Sequence, residues 1–202
     1  MTRARRQERY VIDRCSQGDK ALNVLTSDLD ELRTEVLRLR AHEEIRGRIY
    51  AYARAVDRLD RGLLEEQFWP NARVDYGVFY QGPVARFFAN AMRFQGAMRD
   101  TQHVVGNVTI DVTGDNARAE SYIHAQHVLV DGENLVQLMV GARYLDRFER
   151  RASAWKISHR TEVMDWGRWL PMSERWVEAA NELPKGLRGR NDLSDRFAFP
   201  EK

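Results

Sequence analysis

The sequence changes its period at about Asp100 and does not change back until about residue 170. Before that point apolar residues recur every three or four positions. After it they alternate every second position, the mark of strands with one face buried. TQHVVGNVTIDV and NARAESYIHAQHVLV flank Gly114-Asp115, and Asp131-Gly132 precedes ENLVQLMVGARYLDRFER. SAWKISHRTEVMDWGRWL then completes four long strands. Turns this short join neighbours, so the segment reads as an antiparallel meander. Strands longer than the usual five or six residues bend, and Gly106 and Gly141 are the expected bulges.

The first half supplies helices. Leu25, Leu29, Leu32, Val36 and Leu39 follow a heptad spacing after an Arg-rich segment, residues 1–24, that has no steady period and reads as a mobile arm. Two readings of that seam stay open: an amphipathic helix lying on its own domain, or a short self-association seam. Ile45, Ile49, Tyr52, Ala53, Val56 and Leu59 predict a second helix stopped near Gly62. LLEEQFWP predicts a short helix halted by Pro70, and NARVDYGVFYQG a strand, a turn at Gly77 and a short second strand. PVARFFANAMRFQGAM predicts a helix opened by Pro83. Beyond Met172, SERWVEAANEL predicts a short helix, and Phe197, Phe199 and Pro200 end a polar tail.

Helices followed by a strongly bent sheet define an α+β domain, here a cone whose curved sheet wraps the N-terminal helices. The expected organisation is an N-terminal arm and helix at 1–40, the curved-sheet domain at 41–170, and a C-terminal helix and tail at 171–202. A cone of this kind has a concave, mostly apolar interior suited to a small ligand.

Charge and motifs remove other classes. Thirty-two basic residues against 30 acidic ones leave a net charge of +2, and the two signs alternate. Nucleic-acid binding is not expected from such a surface. Cys15 is the single cysteine, so no intrachain disulfide and no thiolate zinc site is expected. The chain has no eighteen-residue apolar run and no secretory leader pattern, which reads as a cytoplasmic protein with no membrane partner. Glycine-rich nucleotide loops, a nucleophile-elbow serine and a metalloprotease helix motif are absent, so no cofactor and no metal is expected. His124 and His127 differ by three along a strand and point to opposite faces, so they cannot chelate one ion together.

Two residues have the chemistry of an acid–base pair. Asp57 falls at the margin of the apolar face of its helix, where pairing with Arg61 is the simple surface reading. His103 opens the first long strand, grouped by simple alternation with Val105, Asn107 and Thr109 and opposite Val104, Val108, Ile110 and Val112. Histidine is the side chain that serves as a base near neutral pH without special tuning. A carboxylate on its other ring nitrogen would fix the tautomer and stabilise the imidazolium. Trp69, Tyr76, Phe79, Phe87 and Phe88 are candidates for cavity lining and equally for plain core. Trp155, Ile157 and His159 alternate onto one face of the last strand, while Asp165-Trp166 near Arg168 reads as a structural clamp.

The runs YARAVDRLDRGLLEEQFWPNARVDYG, TQHVVGNVTIDVTGDNARAESYIHAQHVLV, GARYLDRFERR and WKISHRTEVMDW resemble the SnoaL-like branch of the nuclear-transport-factor-2-like (NTF2-like) superfamily, over residues 41–170. The resemblance implies a cone of bent sheet and three helices. It also implies kinship with scytalone dehydratase, the lindane dehydrochlorinase and the bile-acid 7α-dehydratase. Asp57 and His103 match the helix aspartate and strand histidine of that branch, and Tyr52 matches a pocket tyrosine. A second pocket histidine falls to His124 or His127, and an arginine partner to Arg143 or Arg160. The resulting substrate-binding set is His124, His127, Arg143, Trp69, Tyr76 and Phe88.

The function so implied is a cofactor-independent lyase of the dehydratase type, acting on a small hydrophobic alicyclic or polycyclic, steroid-like substrate. The same dyad serves an isomerase or polyketide-cyclase-type enzyme. A non-catalytic assembly module, like the small subunits of ring-hydroxylating dioxygenases, is the third reading. The apolar outer sheet face leads to the expectation of a homo-oligomer, dimer or trimer.

Overall fold

A computed structural model of the chain describes the backbone of residues 3–172, 182–189 and 192–195, and side chains within those ranges from Thr26 to Ser194. Most of the expected C-terminal helix and the terminal Phe197, Phe199 and Pro200 lie outside the described residues. The chain divides into two compact units, Met1–Ala41 and His42–Lys202.

Helix α1 spans Arg3–Arg58. The expected aperiodic arm is therefore helical in its backbone from Arg3, and the two expected helices are one. Arg, Gln, Glu and Ala favour helix through this stretch, and a single Gly18 costs only about 1 kcal/mol. In the first unit Leu29, Leu32, Val36 and Leu39 are exposed. In the second, Ile45, Ile49, Tyr52, Ala53 and Val56 are buried.

The helix does not run to Gly62. Leu59 turns into the left-handed region (φ 54) and ends it one residue after Arg58. Asp60 N–H donates back to the Ala55 carbonyl at 2.9 Å. The Asp60 carboxylate then caps α2 (Arg61–Glu66) by accepting from Leu63 N–H at 2.9 Å. Gly62 sits inside α2. Pro70 does not halt that helix but lies within strand β1 (Phe68–Asp75). It falls where β1 pairing is irregular between Phe68 and Arg73, so its missing N–H interrupts no regular ladder.

Strand β2 (Gln81–Pro83) follows the turn at Gly77, and α3 covers Val84–Ala97 with Pro83 as its N-cap. The four long strands are β3 (Asp100–Thr113), β4 (Asn116–Asp131), β5 (Asn134–Arg151) and β6 (Ala154–Met172). One six-stranded sheet results, in the order β2-β1-β6-β5-β4-β3. The β3–β6 meander is antiparallel as expected, but β1 joins β6 in parallel, so the sheet is mixed.

Bulges decide which side chains face the core, because each inserted residue reverses the alternation beyond it. Pairing shifts between Val105 and Val108 on β3, at Gly106, and between Gly141 and Ala142 on the β5–β6 ladder. The first shift corrects the grouping expected on β3. Thr101, His103 and Val105 share the inner side with Val108, Ile110 and Val112, whereas Val104 is exposed. A further irregularity between Arg147 and Phe148 leaves Ser158 unpaired on β6. Trp155 and Ile157 are buried before it, and Arg160, not His159, is buried after it.

Candidate active site

The last turn of α1 carries Asp57 to the start of β3. Asp57 Oδ1 accepts from His103 Nδ1 at 2.7 Å, and Oδ2 accepts from the His103 backbone N–H at 2.9 Å. The side chains are 14% and 7% exposed. Arg61, the surface partner expected for Asp57, instead pairs with Glu65 at 2.7 Å. A carboxylate only accepts, so His103 Nδ1 carries a proton, and in the neutral ring Nε2 is the nitrogen with the free lone pair.

The register of β3 and β4 settles the second histidine. Thr101 pairs with His127, and both face inward beside His103. The His103 and His127 rings lie 5.4 Å apart, edge to face. Thr101 Oγ1 donates to Gln95 Oε1 at 3.0 Å and therefore accepts from His127 Nδ1 at 2.8 Å. His127 Nε2 is thus also a bare acceptor. Burial first, and then the neighbouring His103, push the His127 pKa down to about 4. His124 is corrected: it occupies the opposite face of β4, with its ring 5.4 Å from that of Trp166.

Tyr52, one turn before Asp57, shares a hydrogen bond with Tyr76, 2.8 Å between hydroxyls. Tyr144 on β5 stands edge-on to Tyr52 at 5.5 Å. Burial raises all three phenols above their ordinary value. The Arg160 guanidinium lies 4.0 Å from both the Tyr52 and Tyr144 ring centres. Its Nε and Nη2 each donate to the Asp146 carboxylate at 2.7 Å, and both residues are fully buried. Burial works to lower the Arg160 pKa, but the Asp146 contact overcomes it and the group stays charged.

Arg143 is corrected in the same terms. It pairs across the ladder from Tyr122 on the outer face and binds Asp165 and Glu120, each at 3.0 Å. Asp165 thus engages Arg143, while Arg168 lies 5.0 Å over the Trp166 ring. Trp69 lies apart from the dyad: its Nε1 donates to the Glu149 carbonyl at 3.0 Å, and Arg151 sits 4.8 Å over its ring. Phe88 packs against Phe68 at 5.8 Å. Trp69 and Phe88 border a shallow groove of about 260 Å³ with Arg61 and Pro70, which neither Asp57 nor His103 lines. Of the six substrate-binding candidates, His127 is brought beside the dyad and Tyr76 beside Tyr52.

The sequence reading missed several groups here. Gln95 and Thr101 orient His127, while Tyr144, Asp146 and Glu162 line the inner rows of β5 and β6. Tyr144-x-Asp146-x-Phe148 was a usable signal, since its alternation puts the aspartate on a buried row. Arg188 supports the site from the tail, donating to the Met98 and Gln95 carbonyls at 2.7 and 2.6 Å and reaching the Asp57 carbonyl at 3.5 Å. Among the described residues no three His, Cys, Asp or Glu side chains converge as a metal site, and no helix is long and apolar enough to cross a membrane.

Helices packed in the hollow of a curved mixed sheet, with a helix carboxylate and a strand imidazole meeting inside, define an α+β cone of the NTF2-like superfamily. The SnoaL-like domain model matches residues 37–161, more than half of the chain, and the chain belongs to that family. No curated protein sequence matches it. Solved structures that resemble it include the hexachlorocyclohexane dehydrochlorinase LinA-type3 from Novosphingobium barchaimii. That one has a TM-score of 0.59 and 21% identity, with 71% of this chain and 98% of the other covered. A candidate scytalone dehydratase from Novosphingobium aromaticivorans aligns with a TM-score of 0.58 and 18% identity, covering 68% and 91%. Kfla4162 from Kribbella flavida aligns with a TM-score of 0.58 and 18% identity, covering 63% and 92%. At these identities the likeness establishes the fold; the chemistry rests on the residues.

Proposed function

We propose that this chain is a cofactor-independent lyase that eliminates a leaving group, in dehydratase fashion, from a small hydrophobic alicyclic or polycyclic, steroid-like compound. The observation that carries this reading is the Asp57–His103 pair, joined at 2.7 Å within the protein interior. His103 Nε2 takes a proton beside a carbonyl, and the C–H electrons form the new double bond as the leaving group departs. Asp57 holds the ring in its tautomer and stabilises the imidazolium. The Tyr52 hydroxyl donates to the substrate oxygen, where a buried donor acts in a low local dielectric.

The test is turnover of a panel of cyclic hydroxy and halo ketones, followed by mass spectrometry. Loss of water or hydrogen halide that disappears in His103→Ala and Asp57→Asn supports elimination. A product of unchanged mass assigns the same dyad to isomerisation or ring closure. Full activity in both variants overturns the role of the pair.

A further inference from the structure

Three buried side-chain atoms among the described residues have no hydrogen-bond partner: Gln67 Oε1, Ser121 Oγ and Arg160 Nη1. A buried polar atom left unpaired costs about 1–3 kcal/mol, so each calls for a reason. Gln67 lies at the end of α2. The other two flank Tyr144 on the inner wall. Ser121 pairs with Tyr144 across β4–β5, and Arg160 stacks on the Tyr144 ring. Both residues are fully buried.

The same row holds a third unused group. Glu162 pairs with Tyr144 across β5–β6, and directly opposed residues of an antiparallel pair share a face. Tyr144 is buried, so Glu162 points inward, two positions from Arg160. Ser121, Tyr144 and Glu162 thus form one inward row across three strands. Among the described residues Glu162 has no hydrogen-bond partner, although Arg160, His103, Tyr52, Tyr76 and Tyr144 all lie within electrostatic reach. Burial raises its carboxyl above the ordinary carboxylate value, against the pull of Arg160 and His103.

We propose that Glu162 is the acid that protonates a departing hydroxyl, beside the unpaired Arg160 Nη1, and that the substrate is accordingly a β-hydroxy carbonyl compound. This rests on the elimination reading above and narrows its substrate class. His103 removes the α proton, the C–H pair becomes the carbon–carbon double bond, and the C–O bond breaks. Glu162 adds its proton to the leaving oxygen, so water departs. The proton on His103 returns to the Glu162 carboxylate through solvent after release, and nothing is oxidised or reduced. A halide leaves without a proton, so only the hydroxyl substrate needs this acid.

The experiment compares 3-hydroxycyclohexanone with 3-chlorocyclohexanone, both giving cyclohexenone, on the full chain and its Glu162→Gln variant. Glu162→Gln is expected to lower the ratio of hydroxy to chloro turnover about 100-fold, the scale of one general acid. An unchanged ratio overturns the proposal while leaving the elimination reading intact. A wild-type chain that turns over neither compound counts against the elimination reading, and the acid role is then decided by a second measurement. Carboxyl carbon NMR of the wild-type protein, with the Glu162 signal assigned by its loss in Glu162→Gln, is expected to show that group protonated at neutral pH. An ionised Glu162 at neutral pH overturns the proposal on its own.

Discussion

Asp57 holds His103 at two points, the ring nitrogen at 2.7 Å and the backbone N–H of the same residue at 2.9 Å. The double contact fixes the ring and also the strand that carries it. Asp57→Asn keeps the shape but offers one acceptor oxygen where there were two, so ring and backbone cannot both be held. Turnover of an eliminating substrate is expected to fall by about 10³-fold or more, as for an orienting carboxylate. Thermal unfolding is expected to record a loss of only about 1–3 kcal/mol, the worth of hydrogen bonds to a charged group. A collapse of the fold in this variant would mark the pair as structural.

The Arg160–Asp146 pair, with no exposure on either side chain, is expected to behave asymmetrically. Asp146→Asn leaves a buried cation with a neutral partner and is expected to cost about 3–5 kcal/mol in urea unfolding. Replacing both together by apolar residues, Arg160→Met with Asp146→Leu, is expected to recover most of that loss. A double variant no more stable than Asp146→Asn would contradict this account.

His127 makes stability depend on pH. Its pKa is pushed down to about 4 from 6.5, so the unfolded chain takes up a proton before the folded one does. Its contribution is fully present above 6.5 and is lost as pH falls toward 4, by an amount on the order of 3 kcal/mol. Urea midpoints measured across that window are expected to slope less in His127→Gln than in the parent chain. Identical slopes would show that His127 is not the titrating group.

Gly141 leaves room for the Trp166 indole, which occupies the space that a Cβ there would take. Gly141→Ala is therefore expected to displace Trp166 and its neighbour His124, at about 1–3 kcal/mol for an overpacked contact. A shift in tryptophan emission, compared with that of a Trp166→Phe control, checks this.

A homo-oligomer, dimer or trimer, is expected to account for the apolar side chains exposed on the outer sheet and along α1. Tyr122, Leu145 and Trp166 represent the first surface, and Leu29, Leu32 and Leu39 the second. Light scattering should give two or three times the 23.6 kDa chain mass. Leu29→Asp with Leu32→Asp breaks the assembly if the seam holds it, and Leu145→Asp does so if the sheet face does. A mass of one chain would remove the expectation.

How far the sequence could be read differs by level. The long strands, their turns and the Gly106 bulge were legible because alternation and turn residues are local properties of the chain, whereas the extra residue opposite Gly141 is Asp165 on β6, not Gly141 itself. The length of α1 was not, since the switch from arm to seam in the text left no trace in the backbone. The end of α1 was missed because Leu59, not a glycine, takes the left-handed conformation.

The sequence by itself determined the strand content, the meander and the identity of the Asp57 and His103 candidates. Only the tertiary structure decided which of His124 and His127, of Arg143 and Arg160, and of His159 and Glu162 face inward. The reason is parity. Side chains alternate strictly along a strand, and one residue added at Gly106 or Ser158 reverses every assignment beyond it. Such an insertion is set by how neighbouring strands pair in space, which no single run of residues records.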